Sequence, residues 1–325
     1  MCGIVAAVGA DNVLPILMEG LKRLEYRGYD SAGVALVEAP GKLGRAREVG
    51  KVAALEQLLS TSPLTGMTGV AHTRWATHGE PSQDNAHPHV SGRIAVVHNG
   101  IIENYHSLKA ELAADGYAFT SQTDTEVVAH LIERELRDRG DLLQAVEAVV
   151  AQLEGAYALG VIDAERPDRV VGARHGSPLV VGISGQGCYL GSDPLALLKA
   201  TDRFLYLEDG DLVEATRDGC VVHGLDADGR RAPVVREVLR YEHGDQAVSK
   251  GEFEHYMLKE IHEQPVAVAN ALEGRLGSDQ VLIEAFGPQA RQLLGKTRQI
   301  HLVACGTSYH AAMVARYWIE TLAGV

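Results

Sequence analysis

The sequence predicts an α+β fold, a four-layer αββα sandwich in which two β-sheets lie face to face and helices cover their outer sides. Two observations predict it. Short apolar runs recur through residues 1–240 and end near glycines, a pattern typical of buried strands. Helical segments lie between some of these runs, but the strands outnumber what simple strand–helix–strand alternation needs, which favours sheets stacked in layers.

The predicted strands are runs of aliphatic residues bounded by turn-forming residues. Glycine supplies 35 of the 325 residues, above its usual share of about 7%, which indicates many tight turns. The runs cover residues 4–8, 34–37, 94–97, 158–162, 170–171, 179–181 and 204–207.

The predicted helices carry apolar residues at spacings of three and four, which places them on one helix face. They cover residues 14–26, 124–136 and 142–153. The second helix begins with Thr123-Asp124-Thr125-Glu126. This order predicts a capping box, in which Thr123 and Glu126 satisfy backbone amides at the helix start.

Residues 1–240 are predicted to form one domain, and residues 241–325 a linker with the start of a second. The linker candidate is the polar, broken stretch 224–255. A helix at 253–272, interrupted by Pro265, comes next. A strand from Gln299 then runs into a turn at Gly306-Thr307-Ser308, and a helix covers 309–322. Because a parallel α/β domain needs repeated crossovers, we expect this second domain to be incomplete.

Composition excludes several classes of protein. The formal net charge is −13, whereas nucleic-acid binding depends on clustered Lys and Arg. No apolar stretch reaches the roughly 18 residues of a membrane span. The four cysteines form neither a CxxC pair nor a disulfide framework. We therefore expect a cytoplasmic protein with no nucleic-acid or membrane partner.

Cys2 follows the initiator methionine. Removal of Met1, which is usual before a small residue, would leave an α-amine and a thiol on the same residue. An α-amine has an ordinary pKa of about 7.7–8.0, so it could accept the thiol proton, directly or through a water. Taken alone, Met-Cys favours the simpler interpretation, in which Cys2 is just the second residue of an apolar strand.

The segment from His72 to Gly79 contains several candidate binding residues. Arg74 could bind a carboxylate through two parallel hydrogen bonds, while Trp75 covers the site. Thr77 and His78 could add hydrogen bonds. The alternative is a strand end with a surface arginine and a core tryptophan.

Two further segments allow both a structural and a functional interpretation. Asn99-Gly100 after a strand first indicates a turn, but an amide side chain beside a glycine N–H also suits an oxyanion hole. Asp124 at a helix start is favoured by the helix dipole alone, and it could equally bind the ammonium group of an amino acid.

Six of the 14 histidines lie between His72 and His106. Their spacing matches no zinc motif, so we expect structural histidines and no metal. No glycine-rich nucleotide-binding motif occurs, so no cofactor is expected.

Six short motifs in this order closely resemble those of the N-terminal-nucleophile glutamine amidotransferases. They are CGIV at 2–5, RGYDSAG at 27–33, HTRWATHG at 72–79, NAHPH at 85–89, HNG at 98–100 and TDTE at 123–126. The match is closest to the members that aminate fructose-6-phosphate. The segments 256–265 and 304–308 resemble the start of their sugar-isomerase (SIS) domain.

The resemblance implies a role for each matching residue. Cys2 would be the nucleophile, with Asn99 and Gly100 as the oxyanion hole. The glutamine-binding residues would be Arg74 for the α-carboxylate, Asp124 for the α-ammonium, and Thr77 and His78 in the pocket loop. Trp75 would gate ammonia, and Thr307 and Ser308 would belong to the first sugar-phosphate loop.

The resemblance also implies the reaction and the partners. Glutamine would be hydrolysed to glutamate and ammonia through a thioester, with no metal or organic cofactor. In a full-length enzyme, a homodimer through the isomerase domain, the ammonia would convert fructose-6-phosphate to glucosamine-6-phosphate. This chain alone is expected to act as a glutaminase. The alternatives are another amidotransferase, of the purine-pathway or asparagine synthetase type, and an inactive amino-acid-binding fragment.

Overall fold

A computed structural model describes residues 2–225, 229–241, 253–272, 276, 280–283 and 290–325. The chain divides into two compact units, Met1–Ser249 and Lys250–Val325. Part of the predicted linker, residues 226–228 and 242–252, lies outside the described residues. The assignment of domains to 1–240 and 241–325 therefore stays a prediction.

All of the named strands in the described residues belong to the first unit. In chain order they are β1 (Gly3–Gly9), β2 (Ser31–Ala39), β3 (Lys42–Val49), β4 (Thr68–Arg74), β5 (His89–Ser91), β6 (Ile94–Ile102), β7 (Gly155–Asp163), β8 (Arg169–His175), β9 (Val180–Ser184), β10 (Gly187–Gly191), β11 (Arg203–Tyr206), β12 (Leu212–Thr216), β13 (Gly219–Leu225), β14 (Arg231–Val234) and β15 (Val238–Arg240).

The strands form two antiparallel sheets. The first has the order β15-β11-β9-β10-β1-β4-β2-β3, and the second has the order β14-β13-β12-β8-β7-β6-β5. Neighbours in both sheets pair antiparallel throughout. Each predicted apolar run lies wholly or mostly within one of these strands.

The helices were predicted in part. The described α-helices are α1 (Leu14–Leu24), α2 (Val52–Thr61), α3 (Tyr105–Ala114), α4 (Thr125–Arg139), α5 (Leu142–Val150), α6 (Tyr256–Leu272), α7 (Ala290–Lys296) and α8 (Gly306–Trp318). Helices α1, α4 and α5 confirm the three predicted in the first unit. Helices α2 and α3 were missed.

Three apolar clusters explain the layers. Along β1, Ile4 points into a cluster between the two sheets, which also holds Val97 of β6 and Ala158 of β7. Val5, on the opposite side of the strand, packs in a second cluster with Leu21 of α1. Alternation of side chains across a strand buried on both faces accounts for its continuous apolar run.

The third cluster lies on the outer face of the second sheet, where Val96 of β6 and Leu159 of β7 pack with Leu131 of α4. Helices α4 and α5 therefore cover this sheet, and α1 and α2 cover the other. The order helix, sheet, sheet, helix confirms the predicted αββα sandwich.

The predicted capping box at the start of α4 is wrong. Asp124 is the N-cap residue, and no side chain caps the helix there. The carboxylate of Glu126 instead accepts hydrogen bonds from the backbone amides of Thr120, at 2.9 Å, and Ser121, at 2.7 Å. Glu126 therefore holds the loop before the helix through these two bonds, and its carboxylate does not bond to the backbone amide of the N-cap residue.

In the second unit, α6 continues through Pro265, which was expected to interrupt it. The strand predicted from Gln299 is wrong, because residues 297–305 form neither helix nor strand. Gly306 begins α8 rather than a turn, and a π-helix, Ile319–Ala323, continues it. An apolar run becomes a strand only beside another strand, and the described residues of this unit contain none. None of the described helices is both long and apolar enough to cross a membrane.

Candidate active site

The thiol of Cys2 lies immediately before β1, against the backbone of Trp75. The Trp75 N–H donates to Sγ at 3.1 Å, and Sγ lies 3.5 Å from the Trp75 carbonyl oxygen. Burial raises the pKa of the Cys2 thiol above its ordinary value, although the hydrogen bond from Trp75 acts against that rise. The thiol therefore needs a base to become a nucleophile at neutral pH.

Strand pairing brings the His72–Gly79 segment to Cys2. Strand β4 runs antiparallel to β1, with Gly3 opposite Thr73 and Ile4 opposite His72. The end of β4 must therefore lie beside the start of β1. This register explains why two motifs about seventy residues apart in the sequence meet at one site.

The buried Arg74 guanidinium holds the loop that follows β4. It donates to the carbonyl oxygens of His78, of Gly79 at 3.2 Å and of Glu80 at 3.4 Å. It also lies 3.9 Å from the Asp30 carboxylate. Arg74 is therefore neither the surface arginine of the structural alternative nor a free carboxylate ligand. It lines the site and folds the loop around itself.

Asn99 and Gly100 lie inside strand β6, so the interpretation of this pair as a turn is wrong. Asn99 Nδ2 donates to the carbonyl oxygen of Cys2 at 3.2 Å. Gly100 has φ +129°, and a Cβ atom there would lie 1.9 Å from the Ala156 carbonyl oxygen. Only glycine fits this position in the paired strand.

Asp124 is fixed by the end of β6. One carboxylate oxygen accepts a hydrogen bond from the backbone amide of Ile102 at 2.8 Å, and the residue is buried. The second carboxylate oxygen is left for another partner, because a carboxylate can accept several hydrogen bonds.

These side chains surround one narrow cavity. Its lining consists of Cys2, Arg74, Trp75, Thr77, His78, His87, His98, Gly100, Thr123, Asp124 and Thr125. The free volume is about 10 Å³, room for about one water molecule. An amino acid could enter only if the lining moved. Trp75, in the loop that follows β4, is 53% exposed.

Four residues of the lining, His87, His98, Thr123 and Thr125, were not predicted as site residues. The concentration of histidines between His72 and His106 was a signal that could have pointed to the first two. The four histidines His72, His87, His89 and His98 are all buried, and burial lowers the pKa of each. They are therefore neutral at physiological pH. Among the described residues, no group of three or more potential ligands is arranged to hold a metal ion.

Thr307 and Ser308 lie in the second unit, in the first turn of α8. The structure therefore gives them a helical conformation at the start of α8 rather than the predicted loop conformation. Their assignment to a sugar-phosphate site stays a prediction.

Comparison with known proteins finds a matching domain and similar enzymes. A model described as a glutamine amidotransferase domain matches residues 72–199. The glutamine–fructose-6-phosphate aminotransferase (isomerizing) of Pseudomonas aeruginosa is 57% identical over 100% of this chain and 53% of the relative. The enzymes so named from Vibrio vulnificus and Haemophilus influenzae are 54% and 53% identical over the same shares.

The chain contains a glutamine amidotransferase domain and is similar over its whole length to these enzymes. It spans about half the length of the curated relatives it matches, and it covers their glutaminase half. Among solved structures, the glutamine phosphoribosylpyrophosphate amidotransferase from B. subtilis is similar over 75% of this chain and 50% of that one, with a TM-score of 0.58 and 25% identity. The fold of the first unit is therefore that of the N-terminal-nucleophile amidotransferases, as predicted.

Proposed function

We propose that this amidotransferase hydrolyses glutamine to glutamate and ammonia, with Cys2 as the nucleophile. The observation that carries the proposal is the position of the thiol. It lies in one cavity with Arg74, Gly100 and Asp124, while the Asn99 amide bonds to the backbone of the same cysteine.

The first step is attack on the side-chain amide of glutamine. After removal of Met1, the α-amine of Cys2 takes the thiol proton, and the sulfur forms a bond to the amide carbon. The carbonyl oxygen becomes an oxyanion. Asn99 Nδ2 and the Gly100 N–H stabilise it by donating hydrogen bonds, the role of an oxyanion hole.

In the second step the tetrahedral intermediate collapses. The C–N bond breaks, the α-ammonium returns its proton to the departing nitrogen, and ammonia leaves a thioester on Cys2. Water then attacks the thioester and glutamate is released, which restores the thiol. No redox change occurs in either half of the reaction.

Glutamine is recognised at its α-carbon end by opposite charges. Asp124 binds the α-ammonium through its remaining carboxylate oxygen, and Arg74 binds the α-carboxylate. Thr77 and His78 complete the pocket, and Trp75 covers it. Because Arg74 already holds the His78–Glu80 backbone, occupation of the pocket and closure of the loop are coupled through one guanidinium.

The acceptor half of the reaction is a second part of the proposal. The curated relatives are named for transfer to fructose-6-phosphate. We propose that a protein containing this glutaminase half would use the ammonia in the same way, as a homodimer, with Thr307 and Ser308 at the start of its sugar-phosphate site.

The test is glutamate release from glutamine by the purified chain, with removal of Met1 checked by intact mass. We expect Cys2→Ala to lower kcat by at least about a thousandfold, as loss of a nucleophile does. Cys305→Ala, at an exposed cysteine of the second unit, is the matched control and should keep full activity. Unchanged release by Cys2→Ala would disprove the mechanism. Binding of glutamine by the parent chain without release would favour the inactive amino-acid-binding module.

A further inference from the structure

His72 is a buried polar residue next to the candidate site. It lies in β4 between Ile4 of β1 and Gly33 of β2, and its side chain is fully buried. Its ring stacks on His87, with 4.2 Å between the ring centroids and an interplanar angle of 29°. A buried imidazole needs a hydrogen-bond partner to offset the loss of water.

That partner is the side chain of Asn99. His72 Nε2 lies 2.9 Å from Asn99 Oδ1. Burial lowers the pKa of His72 to about 3, although the hydrogen bond to Asn99 acts in the opposite direction. The ring is therefore neutral and carries a single N–H.

The position of that proton follows from the contacts. An amide oxygen can only accept, so the ring must donate from Nε2. The other ring nitrogen, Nδ1, is buried and makes no hydrogen bond of normal geometry among the described residues, although the His98 backbone lies close enough to the ring to act against the lowering of its pKa. An N–H there would be an unsatisfied buried donor, which is unfavourable. Both observations favour the tautomer with the proton on Nε2.

The tautomer decides which end of the Asn99 amide faces Cys2. With Oδ1 held by His72, the NH₂ group points to the Cys2 backbone, where Nδ2 donates at 3.2 Å. A reversed amide would present its oxygen to the oxyanion formed at Cys2, and the two would repel each other. We infer that His72 is a positioning residue that fixes the Asn99 amide with its donor toward the reaction centre.

This inference rests on the proposed glutaminase activity, and a double-mutant cycle tests it. His72→Phe keeps a ring in the stack but removes the donor. We expect it to lower kcat for glutamate release by at least about tenfold, up to the roughly 10²–10³-fold effect of a lost oxyanion donor, while KM changes little. His72→Gln can place an N–H at the same position and should recover most of the loss.

The cycle separates a positioning role from a general effect on folding. In the Asn99→Ala background, His72→Phe should cause no further loss of kcat, because the group it positions is absent. The inference is wrong if His72→Phe keeps the parent kcat, or if the loss it causes is as large in the Asn99→Ala background as in the parent.

The tautomer itself can be measured without turnover. The ¹⁵N shifts of the His72 ring, assigned by comparison with His72→Phe, should show a neutral ring protonated at Nε2 between pH 6 and 8. Protonation at Nδ1 would overturn the inference whether or not the chain releases glutamate. If the ring is protonated at Nε2 but the parent releases no glutamate, the proposed function fails while the orientation of the amide stands.

Discussion

The two units differ in where their apolar side chains lie. The first unit buries them in three clusters, on both faces of its sheets. Among the described residues of the second unit, Lys259 and Ala290 are the buried ones, while Val303 is 95% exposed and Leu322 is 82% exposed. The candidate site is therefore built on contacts made within the first unit, whereas the described apolar side chains of the second unit are mostly exposed. Changes in the first unit should cost stability and activity, and equivalent changes in the second should not.

The largest expected effect is that of Gly100→Ala. The added methyl group would overlap the Ala156 carbonyl oxygen of the neighbouring strand, at a φ that L-residues rarely adopt. We expect the free energy of unfolding to fall by at least about 3 kcal/mol, measured by urea unfolding.

Two matched substitutions serve as controls. Gly185→Ala in the first unit and Gly295→Ala in α7 would each place the methyl group where nothing lies within 4 Å. The first should be nearly neutral. The second should leave the unfolding of the first unit unchanged and favour its own helix by about 1 kcal/mol. A Gly100→Ala protein as stable as Gly185→Ala would show that β6 adapts easily.

The same contrast explains what could be predicted from the sequence. Strands such as β1 and β6 could be predicted because they are buried on both faces. Burial on both faces requires a continuous apolar sequence, which can be recognised without the structure. The segment Ile300–Val303 is also mostly apolar but forms no strand. Strand formation depends on pairing with a neighbouring strand, which a local sequence pattern does not reveal.

The sequence motifs named most of the residues that line the cavity, but not how those residues are arranged. The dipeptide Asn99-Gly100 is typical of a turn, yet it lies in a strand. The glycine is required there because the Ala156 carbonyl oxygen approaches the backbone too closely for a side chain. The role of Arg74 in holding the loop and the bond between His72 and Asn99 depend on the register of β1 with β4 and on the packing of the two sheets. Neither can be read from spacing along the chain.

The next effect concerns pH and is specific to the buried histidines. His72, His87, His89 and His98 have a lowered pKa in the folded first unit, whereas an unfolded chain has an ordinary histidine pKa of about 6.5. Below that pH the unfolded state binds protons that the folded state does not. The free energy of unfolding should therefore fall as pH is lowered, with each histidine adding up to about 1.4 kcal/mol per pH unit.

Urea unfolding at pH 7.5, 6.5 and 5.5 measures this dependence. The window for His72 extends from about 6.5 down towards its folded pKa of about 3. His87→Phe removes one buried histidine and should reduce the total fall in the free energy of unfolding between pH 7.5 and 5.5 by up to about 1.4 kcal/mol. Constant stability between pH 7.5 and 5.5 would mean that these rings become charged without unfolding the protein.

The smallest expected effect is that of removing the second unit. Every residue that lines the cavity lies between Cys2 and Thr125, and the three apolar clusters lie within the first unit. A chain that ends at Ser249 should therefore keep its urea midpoint, and its kcat/KM for glutamine hydrolysis should stay within about twofold of the parent.

A chain that ends at Arg230 is the matched control. It lacks β15, which pairs with β11, and β14, which pairs with β13, so it should be less stable. If the chain ending at Ser249 lost more than tenfold in kcat/KM while its midpoint stayed the same, the second unit would be acting on the loop that Arg74 holds. The site would then not be complete within the first unit.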